Sequence, residues 1–254
     1  MPLQNRYNPA SLDGHLWTKP MEKPIRHHLL APEKDFRWRA GEITRLEAFC
    51  DVVFGFALTL LVVSLEVPRS YAELMIAMRG FLPFAICFAQ LSLIWYTHYK
   101  FSRRYGLEDP YTVVLNLVLL FLVLFYVYPL KFLFTMLFDQ VTHTAVAEPA
   151  SSHGASVLMR IYGIGFAAVF ALFSLMYRHA YALRRELQLN PVEIFTTRIS
   201  LQENFAMMTF GLISFLLAFW RPDASGWFYS LIGVFFWVHG TVMSGRKRQL
   251  VNGG

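Results

Sequence analysis

Three stretches of this chain run for at least twenty residues without a formal charge, and they constrain its fold more than any other feature. They cover residues 80–99, 110–130 and 224–245. An α-helix needs about 20 apolar residues to cross the hydrocarbon core of a bilayer. Helices also satisfy their own backbone hydrogen bonds, which a segment surrounded by lipid must do. The pattern therefore indicates an all-α polytopic membrane protein.

Shorter apolar segments bring the number of predicted transmembrane helices to six. Arginines bracket two of these segments, and arginine side chains at such positions can extend to the membrane interface. The chain has 56% hydrophobic and only 16% charged residues, whereas soluble domains carry about 25% charged residues. The predicted helices cover residues 44–67, 73–99, 110–137, 157–179, 199–220 and 225–244.

The lysines and arginines concentrate in alternate loops, which predicts the orientation of the chain. Cytosolic loops of membrane proteins carry an excess of these residues. The loop after the second helix, the loop after the fourth helix and the C-terminus are basic, whereas residues 138–156 contain neither lysine nor arginine. Both termini are therefore predicted to be cytosolic, as an even number of helices requires.

The sequence divides into three predicted regions. Residues 1–40 form a polar, proline-containing cytosolic tail that is partly disordered or interfacial,. Its end, residues 36–39, mixes aromatic residues with arginines and suits either an amphipathic anchor at the membrane surface or an ordinary linker. Residues 41–245 form the six-helix transmembrane domain, and residues 246–254 form a short basic tail.

Motifs of enzymatic chemistry do not occur in the sequence. It contains no nucleophile elbow, phosphate-binding loop, His-Glu-x-x-His or Cys-x-x-Cys,. Cys50 and Cys87 fall inside apolar helices and predict neither a disulfide framework nor a metal site,. The basic residues sort by loop rather than forming one patch, which argues against nucleic-acid binding. We therefore predict a protein that is not an enzyme and has no cofactor.

Arg45 and Asp51 bracket the start of the first predicted helix, where charges are costly unless they face protein or water,. Because they are six residues apart, they point about 120° away from each other on a helix. We expect each to need a partner on another helix, because an unpaired buried charge is strongly disfavoured. The candidate partners are Gln90, His98 and Asn116.

The first helix carries two stripes at helical spacing. The small Gly55 in the second stripe would let a neighbouring helix approach closely. Periodicity alone leaves open which stripe faces lipid, protein or a pore. The first stripe is Phe49, Val52, Phe56, Leu60, Val63 and Val67, and the second is Asp51, Gly55, Leu58 and Val62.

The start of the first helix resembles a known family signature. In that signature Arg-x-x-x-Phe-Ser-Asp precedes an apolar run with an embedded threonine and a closing proline. The chain is similar in this to the transmembrane protein 175 family, potassium channels of endosomes and lysosomes with single-repeat prokaryotic relatives. The resemblance covers about residues 42–135. The matching residues are Arg45, Phe49, Cys50, Asp51, Thr59 and Pro68, with Trp95, His98, Asn116 and Pro129 in support.

The resemblance implies a homotetrameric potassium channel of the prokaryotic inner (plasma) membrane, in which the first helices line a central pore. Its constriction is a ring of large side chains five residues after the motif aspartate, which is Phe56 here. Thr59, Leu60 and Val63 follow along the pore. The permeant ion is K⁺, and the partners are the lipid bilayer and further copies of the chain. The implied support network for the pore helix is Arg45, Phe49, Cys50, Asp51, His98 and Asn116.

Two departures from the family pattern accompany this prediction. Cys50 replaces the motif serine, so a weak thiol donor stands where a hydroxyl is usual,. Phe56 replaces an aliphatic residue, and four phenyl rings can plug a pore or gate it by dewetting. Two alternatives stay open: a non-conducting membrane scaffold that binds a partner through its tail, and a proton-coupled transporter that uses Asp51, His98 or His239.

Overall fold

The computed structural model describes residues 36–63, 68–142 and 152–252. Within those residues the chain is helical, with no strand, which confirms the all-α prediction. Residues 1–35 of the predicted tail 1–40, Val67 of the first stripe and the final two residues lie outside the described residues. The helices are α1 (Arg45–Val63), α2 (Tyr71–Arg79), α3 (Phe81–Tyr105), α4 (Pro110–Thr142), α5 (Ser152–Ala182), α6 (Pro191–Leu217), α7 (Pro222–Phe228) and α8 (Leu231–Asn252).

Two of the six predicted helices are interrupted. The segment predicted at 73–99 divides into α2 and α3 at Gly80, whose N–H bonds to the carbonyl of Ala77. Pro83 explains the break, because its ring lacks the N–H that a continuous helix needs and is tolerated only in a first turn. The segment predicted at 225–244 likewise divides, between α7 and α8.

α6 begins earlier than predicted. Hydropathy predicts a start at residue 199, but the helix begins at Pro191, directly after Asn190. The Asn190 side chain accepts from the Glu193 N–H at 2.8 Å, and the Glu193 carboxylate accepts from the Asn190 N–H at 2.9 Å. This reciprocal capping box, with proline at the first helical position, is a sequence-readable start signal that was missed.

Among the described residues, five segments are long and apolar enough to cross a membrane: α1, α3, most of α4, most of α5, and the α7–α8 segment. α6 is long enough, but Glu193, Arg198 and Glu203 make its first half polar. The crossing of the membrane by α6 therefore stays a prediction.

Close helix packing holds α5 against α6. A Cβ atom on Gly163 would lie 2.8 Å from the backbone nitrogen of Phe215, and one on Gly211 would lie 2.7 Å from that of Ala167. Glycines at these positions let the two backbones approach directly, as small residues do between membrane helices. α4 and α5 supply most of the buried hydrophobic core, and α1 packs against α3 and α4.

One end of the bundle, which we call the N-terminal end, collects the start of α1, the end of α3, the start of α4 and the α5–α6 turn. Asp109 caps α4 there by accepting from the N–H of Thr112 at 3.2 Å, and it contacts His179 of α5 at 3.1 Å. Partial burial acts to raise the pKa of Asp109, but the hydrogen bonds from Thr112 and His179 outweigh it and hold that pKa below its usual range.

The pre-helix segment, residues 36–40, packs into this end of the bundle. Phe36 is 4% exposed, and its ring lies edge-on to Tyr105 at 5.6 Å. Arg39 forms an ion pair with Glu193 at 2.7 Å and donates to the carbonyl of Leu187 at 2.8 Å. The side chains of Phe36 and Arg39 are thus used for contacts inside the protein, and the backbone of residues 36–40 is not helical.

Candidate functional site

α1 presents one fully buried face to the rest of the chain. Its members recur at three- and four-residue spacing and are at most 3% exposed,. This face is neither of the two stripes identified in the sequence, and it lies between them. The buried residues are Glu47, Cys50, Phe54, Ala57 and Leu61.

The opposite face of α1 has no cover within the described chain. Phe49, Val52, Phe56 and Val63 are between 50% and 75% exposed, which is unusual for such large apolar side chains on one helix face,. Leu60 is half-buried at the border of the stripe. The first stripe of the sequence analysis therefore corresponds to the outer face, which we define as Phe49, Val52, Phe56, Thr59, Leu60 and Val63.

Thr59 on the outer face already uses its hydroxyl proton. Its Oγ1 donates to the carbonyl of Phe56 at 2.7 Å, one turn earlier. The oxygen keeps its lone pairs, so it can still accept a hydrogen bond or face a cation. This places one polar acceptor between Phe56 and Val63 on an otherwise apolar surface.

A buried polar cluster holds the inner face of α1 against α3 and α4. His98 Nε2 lies 2.6 Å from Asn116 Oδ1, and Asn116 Nδ2 donates to the carbonyl of Thr112 at 2.8 Å. The second bond fixes the orientation of the amide, so His98 must carry its proton on Nε2. Cys50 Sγ approaches the same Oδ1 at 3.9 Å. Three residues of the predicted support network, Cys50, His98 and Asn116, therefore meet.

Asp51 has a different partner from those expected. Its Oδ1 accepts from the indole Nε1 of Trp95 at 2.8 Å. Of the proposed partners, His98 and Asn116 bond to each other, and Gln90 donates to the hydroxyl of Tyr162 at 3.2 Å. Trp95 is thus a site residue that the sequence reading did not assign, although an indole N–H is a strong buried donor for a carboxylate.

Arg45 and Phe49 do not join the polar cluster. Both are exposed, and the described residues provide Arg45 with neither an ion pair nor a hydrogen bond. The inward-facing charge of this turn is Glu47, which is 3% exposed and lies 3.7 Å from Arg103 Nη1. The sequence reading missed Glu47, whose position three residues before Cys50 and seven before Phe54 was the available signal.

Arg103 also links α1 to the pre-helix segment. Its guanidinium lies 5.6 Å from the centre of the Trp38 ring, and its carbonyl accepts from the Arg39 N–H at 3.2 Å. The chain just before α1 is therefore fixed to the end of α3, and it cannot move without disturbing Arg103 and Glu47.

Known proteins resemble this chain over most of its length. A profile of the family described as "Endosomal/lysosomal potassium channel TMEM175" matches residues 45–129. A potassium channel from Marivirga tractuosa is 38% identical over 232 residues, which are 85% of this chain and 94% of that protein. A potassium channel from Chamaesiphon minutus is 27% identical over 148 residues, 55% of this chain and 66% of that protein.

Solved structures agree with this similarity. The crystal structure of a variant of the potassium channel MtTMEM175, in complex with a nanobody–MBP fusion protein, superposes with a TM-score of 0.70 at 35% identity. The match covers 88% of this chain and 100% of that one. A lysosomal potassium-selective channel homolog from Chamaesiphon minutus superposes with a TM-score of 0.51 at 23% identity. That match covers 80% of this chain and 96% of the other, and it supports the fold alone.

Proposed function

The chain belongs to the family of the endosomal/lysosomal potassium channel TMEM175, and we propose that it is a potassium-preferring cation channel of the plasma membrane. In this proposal four copies surround a central axis, and the four α1 helices line the pore. Ions move passively, down their electrochemical gradient. The names of the relatives, which are potassium channels, support the choice of ion.

The observation that carries the proposal is the outer face of α1. Phe56 is 56% exposed, while Phe54, two residues away on the same helix, is 2% exposed. An apolar face of this size needs a partner outside the chain, either lipid or further copies. The family match includes all of α1, and this favours further copies around an axis.

In the proposed pore, Phe56 forms the constriction. Four phenyl rings around an axis make an apolar ring that water leaves readily, so an ion must shed or rearrange hydration to pass. Selectivity then depends on the width of this ring. The sequence contains no Thr-Val-Gly-Tyr-Gly filter that would supply a ladder of carbonyl oxygens.

Beyond the constriction the outer face carries two apolar side chains and one hydroxyl group. With a rise of about 1.5 Å per residue, Leu60 lies about 6 Å and Val63 about 10 Å further along the helix than Phe56. Thr59 lies between Phe56 and Leu60, and its lone pairs can replace one water of a passing ion,. The proposed path is therefore mainly apolar, with a single ring of weak acceptors.

The buried groups behind α1 act as a brace in this proposal. The Asp51–Trp95 hydrogen bond ties α1 to α3, and the His98–Asn116 pair, which Cys50 of α1 approaches, ties α3 to α4. Hydrogen bonds between packed helices have a defined geometry and therefore fix the rotation of a helix about its axis. That rotation determines whether Phe56 faces the pore. These residues contribute to conduction by orientation and do not contact the ion.

Flux through liposomes tests the proposal. Purified protein is reconstituted, and K⁺ and Na⁺ fluxes are measured for the wild type, Phe56→Ala and Phe125→Ala. Phe125 is the matched control, because it is 63% exposed on α4 and outside the outer face of α1. We expect Phe56→Ala to raise flux or to weaken the preference for K⁺, and Phe125→Ala to leave both unchanged.

Three results would contradict this proposal. Unchanged flux and ion preference in Phe56→Ala would remove Phe56 from the conduction path and make the outer face a lipid contact. No flux from well-folded wild-type protein would favour the non-conducting scaffold instead. Saturable transport that depends on a pH gradient would favour the transporter.

A further inference from the structure

A large cavity lies between α3, α5, α6 and α8, away from α1. Its volume is about 680 Å³, within the range of about 300–1,000 Å³ that is typical of small-molecule sites. The cavity exists because α3 packs against α1, α4 and α5, whereas α8 packs against α6 and α7. α3 and α8 therefore form facing walls without meeting.

Most of the cavity wall is apolar. Aliphatic and aromatic side chains from all four helices line it, including Ile86 and Leu93 of α3, Phe166 and Phe170 of α5, and Ile232 of α8. The polar groups on this part of the wall are Gln90, Tyr162 and Tyr229, and the Gln90 amide donates to the Tyr162 hydroxyl at 3.2 Å. This part suits a hydrocarbon chain, which needs apolar surface and no hydrogen-bond partner.

The other end of the cavity is polar and carries an excess of positive charge. It is lined by Lys100, Ser200, Glu203 and Asn204. Arg104 stands behind Ser200 and donates to its Oγ at 3.2 Å. Two cations, Lys100 and Arg104, act electrostatically on the single carboxylate of Glu203, which also lies 3.6 Å from His239 Nδ1. An anionic group fits this balance better than a cationic one.

The cavity is somewhat longer than the hydrocarbon half-thickness of a membrane. Ile86 and Lys100 are fourteen residues apart on α3, which corresponds to about 21 Å along a helix. Half of a hydrocarbon core is about 15 Å thick. A chain that places its head at Lys100 therefore has room for its apolar tail along the wall as far as Ile86.

From this polarity gradient we propose that the cavity binds a single-chain anionic amphiphile, a long-chain fatty acid or a lysolipid of the same charge. The head group accepts hydrogen bonds at the Lys100–Ser200 end, and the tail lies between α3, α5 and α8. This site is separate from the outer face of α1, so its occupancy can be measured without reference to conduction.

Equilibrium binding of radiolabelled oleate to the full-length protein in nanodiscs tests this proposal. The wild type is expected to bind oleate saturably. Ala89→Trp places an indole in the cavity from an exposed lining position, and we expect it to abolish saturable binding. Lys100→Gln removes a charge-assisted hydrogen bond and is expected to weaken binding about tenfold.

Matched variants control for the size and charge changes. Leu82→Trp adds an indole at an exposed position of α3 that does not line the cavity, and Arg69→Gln removes a charge at the far end of the bundle. Both are expected to bind oleate as the wild type does. Lysophosphatidylglycerol and the neutral lipid monoolein serve as competitors. Displacement by lysophosphatidylglycerol extends the ligand class to anionic lysolipids, and failure to displace restricts it to fatty acids.

Two results would overturn the proposal. One is oleate binding to Ala89→Trp and Lys100→Gln with wild-type affinity, which would place any bound oleate elsewhere. The other is displacement by monoolein as effective as displacement by unlabelled oleate, which would remove the anionic head group from the recognition. Because the assay measures binding alone, neither result depends on whether the protein conducts.

Discussion

The two faces of α1 differ in what they contact, although they alternate along the same nineteen residues. The inner face, centred on Cys50, Phe54 and Ala57, is buried by α3 and α4 and includes a polar cluster. The outer face, centred on Phe56, carries large apolar side chains that no other part of the described chain covers. The inner face is explained by the folding of one subunit, and the outer face requires something beyond it.

The two faces are expected to differ most in how far the loss of one phenyl ring lowers the free energy of unfolding. Phe54→Ala removes a 2% exposed ring that lies 5.7 Å from the His98 ring, and we expect it to lower the free energy of unfolding by about 3–5 kcal/mol. Phe56→Ala removes an exposed ring of the same size and is expected to change it by about 0.5 kcal/mol or less. Unfolding in mixed micelles titrated with sodium dodecyl sulfate measures both.

The pair is its own control, because the two variants delete the same atoms two residues apart. A large loss of stability in Phe56→Ala would mean that the outer face also packs against protein, as a tight contact between subunits would require. A small loss in Phe54→Ala would mean that the inner face is not the packing surface of α1.

Asn116→Leu tests the polar cluster of the inner face at nearly constant volume. Leucine removes the acceptor of His98 and leaves a buried imidazole without a partner, so we expect a loss of about 1–3 kcal/mol of unfolding free energy. Gln202→Leu on the exposed surface of α6 is the control and should have little effect. K⁺ preference per folded channel should stay unchanged, since the Asp51–Trp95 hydrogen bond still holds α1 against α3 and Asn116 does not lie on the outer face.

A change in K⁺ preference with no loss of stability would contradict the assignment of a structural role to the inner face and a conducting role to the outer face. It would mean that the cluster contacts the ion path directly. A neutral outcome for both measurements would mean that a water or another side chain replaces the amide.

The sequence predicted the helices of this protein better than the contacts between them. Long uncharged stretches locate α3, α4 and α8 because a membrane-crossing helix leaves few alternatives for such residues. The interruption at Gly80 and the start of α6 at Asn190 were missed although both have local signals, Pro83 and the capping box. These signals were weaker than hydropathy, which averages over a whole window.

The polar contacts were predictable only in part. The family signature brought Cys50, His98 and Asn116 together, and these residues do meet. The Asp51–Trp95 bond was not predicted, because helix periodicity fixes the direction of a side chain but not the rotation of the neighbouring helix,. Glu47 was not predicted, because the prediction for the start of α1 was based on the charges of Arg45 and Asp51 alone.

Asp51→Asn separates a bracing role from an ionic one. Asparagine keeps an oxygen that accepts from Trp95 Nε1 and removes the negative charge. A hydrogen bond to a charged acceptor is stronger than one to a neutral acceptor, so we expect a loss of about 1 kcal/mol in unfolding free energy. K⁺ preference in liposome flux should stay the same. Trp95→Phe, which leaves the carboxylate unpaired, should cost more.

Asp51 would become part of the ion path if Asp51→Asn abolished the K⁺ preference at unchanged stability. The boundary between the two faces would then lie on the other side of Asp51, which is half-buried. That outcome would leave Phe56 as a constriction with an acidic ring before it.

Cys50→Ser is expected to have the smallest effect and to address how far the chain departs from the family signature. Cys50 is fully buried, and its thiol lies 3.9 Å from Asn116 Oδ1, which already accepts from His98. A serine hydroxyl has a shorter bond to Cβ, so it does not reach that oxygen at hydrogen-bond distance without a shift. It can instead donate to a backbone carbonyl one turn earlier, as serine does in helices.

We therefore expect Cys50→Ser to change the unfolding free energy by less than about 1 kcal/mol, because a lost sulfur contact offsets the new backbone hydrogen bond. Cys50→Ala, which removes the sulfur without a replacement, should be the less stable of the two. Stabilisation by more than about 1 kcal/mol in Cys50→Ser would show that α1 shifts to bring the hydroxyl to Asn116. The wild-type cysteine would then hold the inner face of α1 less closely against Asn116. Replacing its sulfur by oxygen would therefore also change the orientation of Phe56 on the outer face.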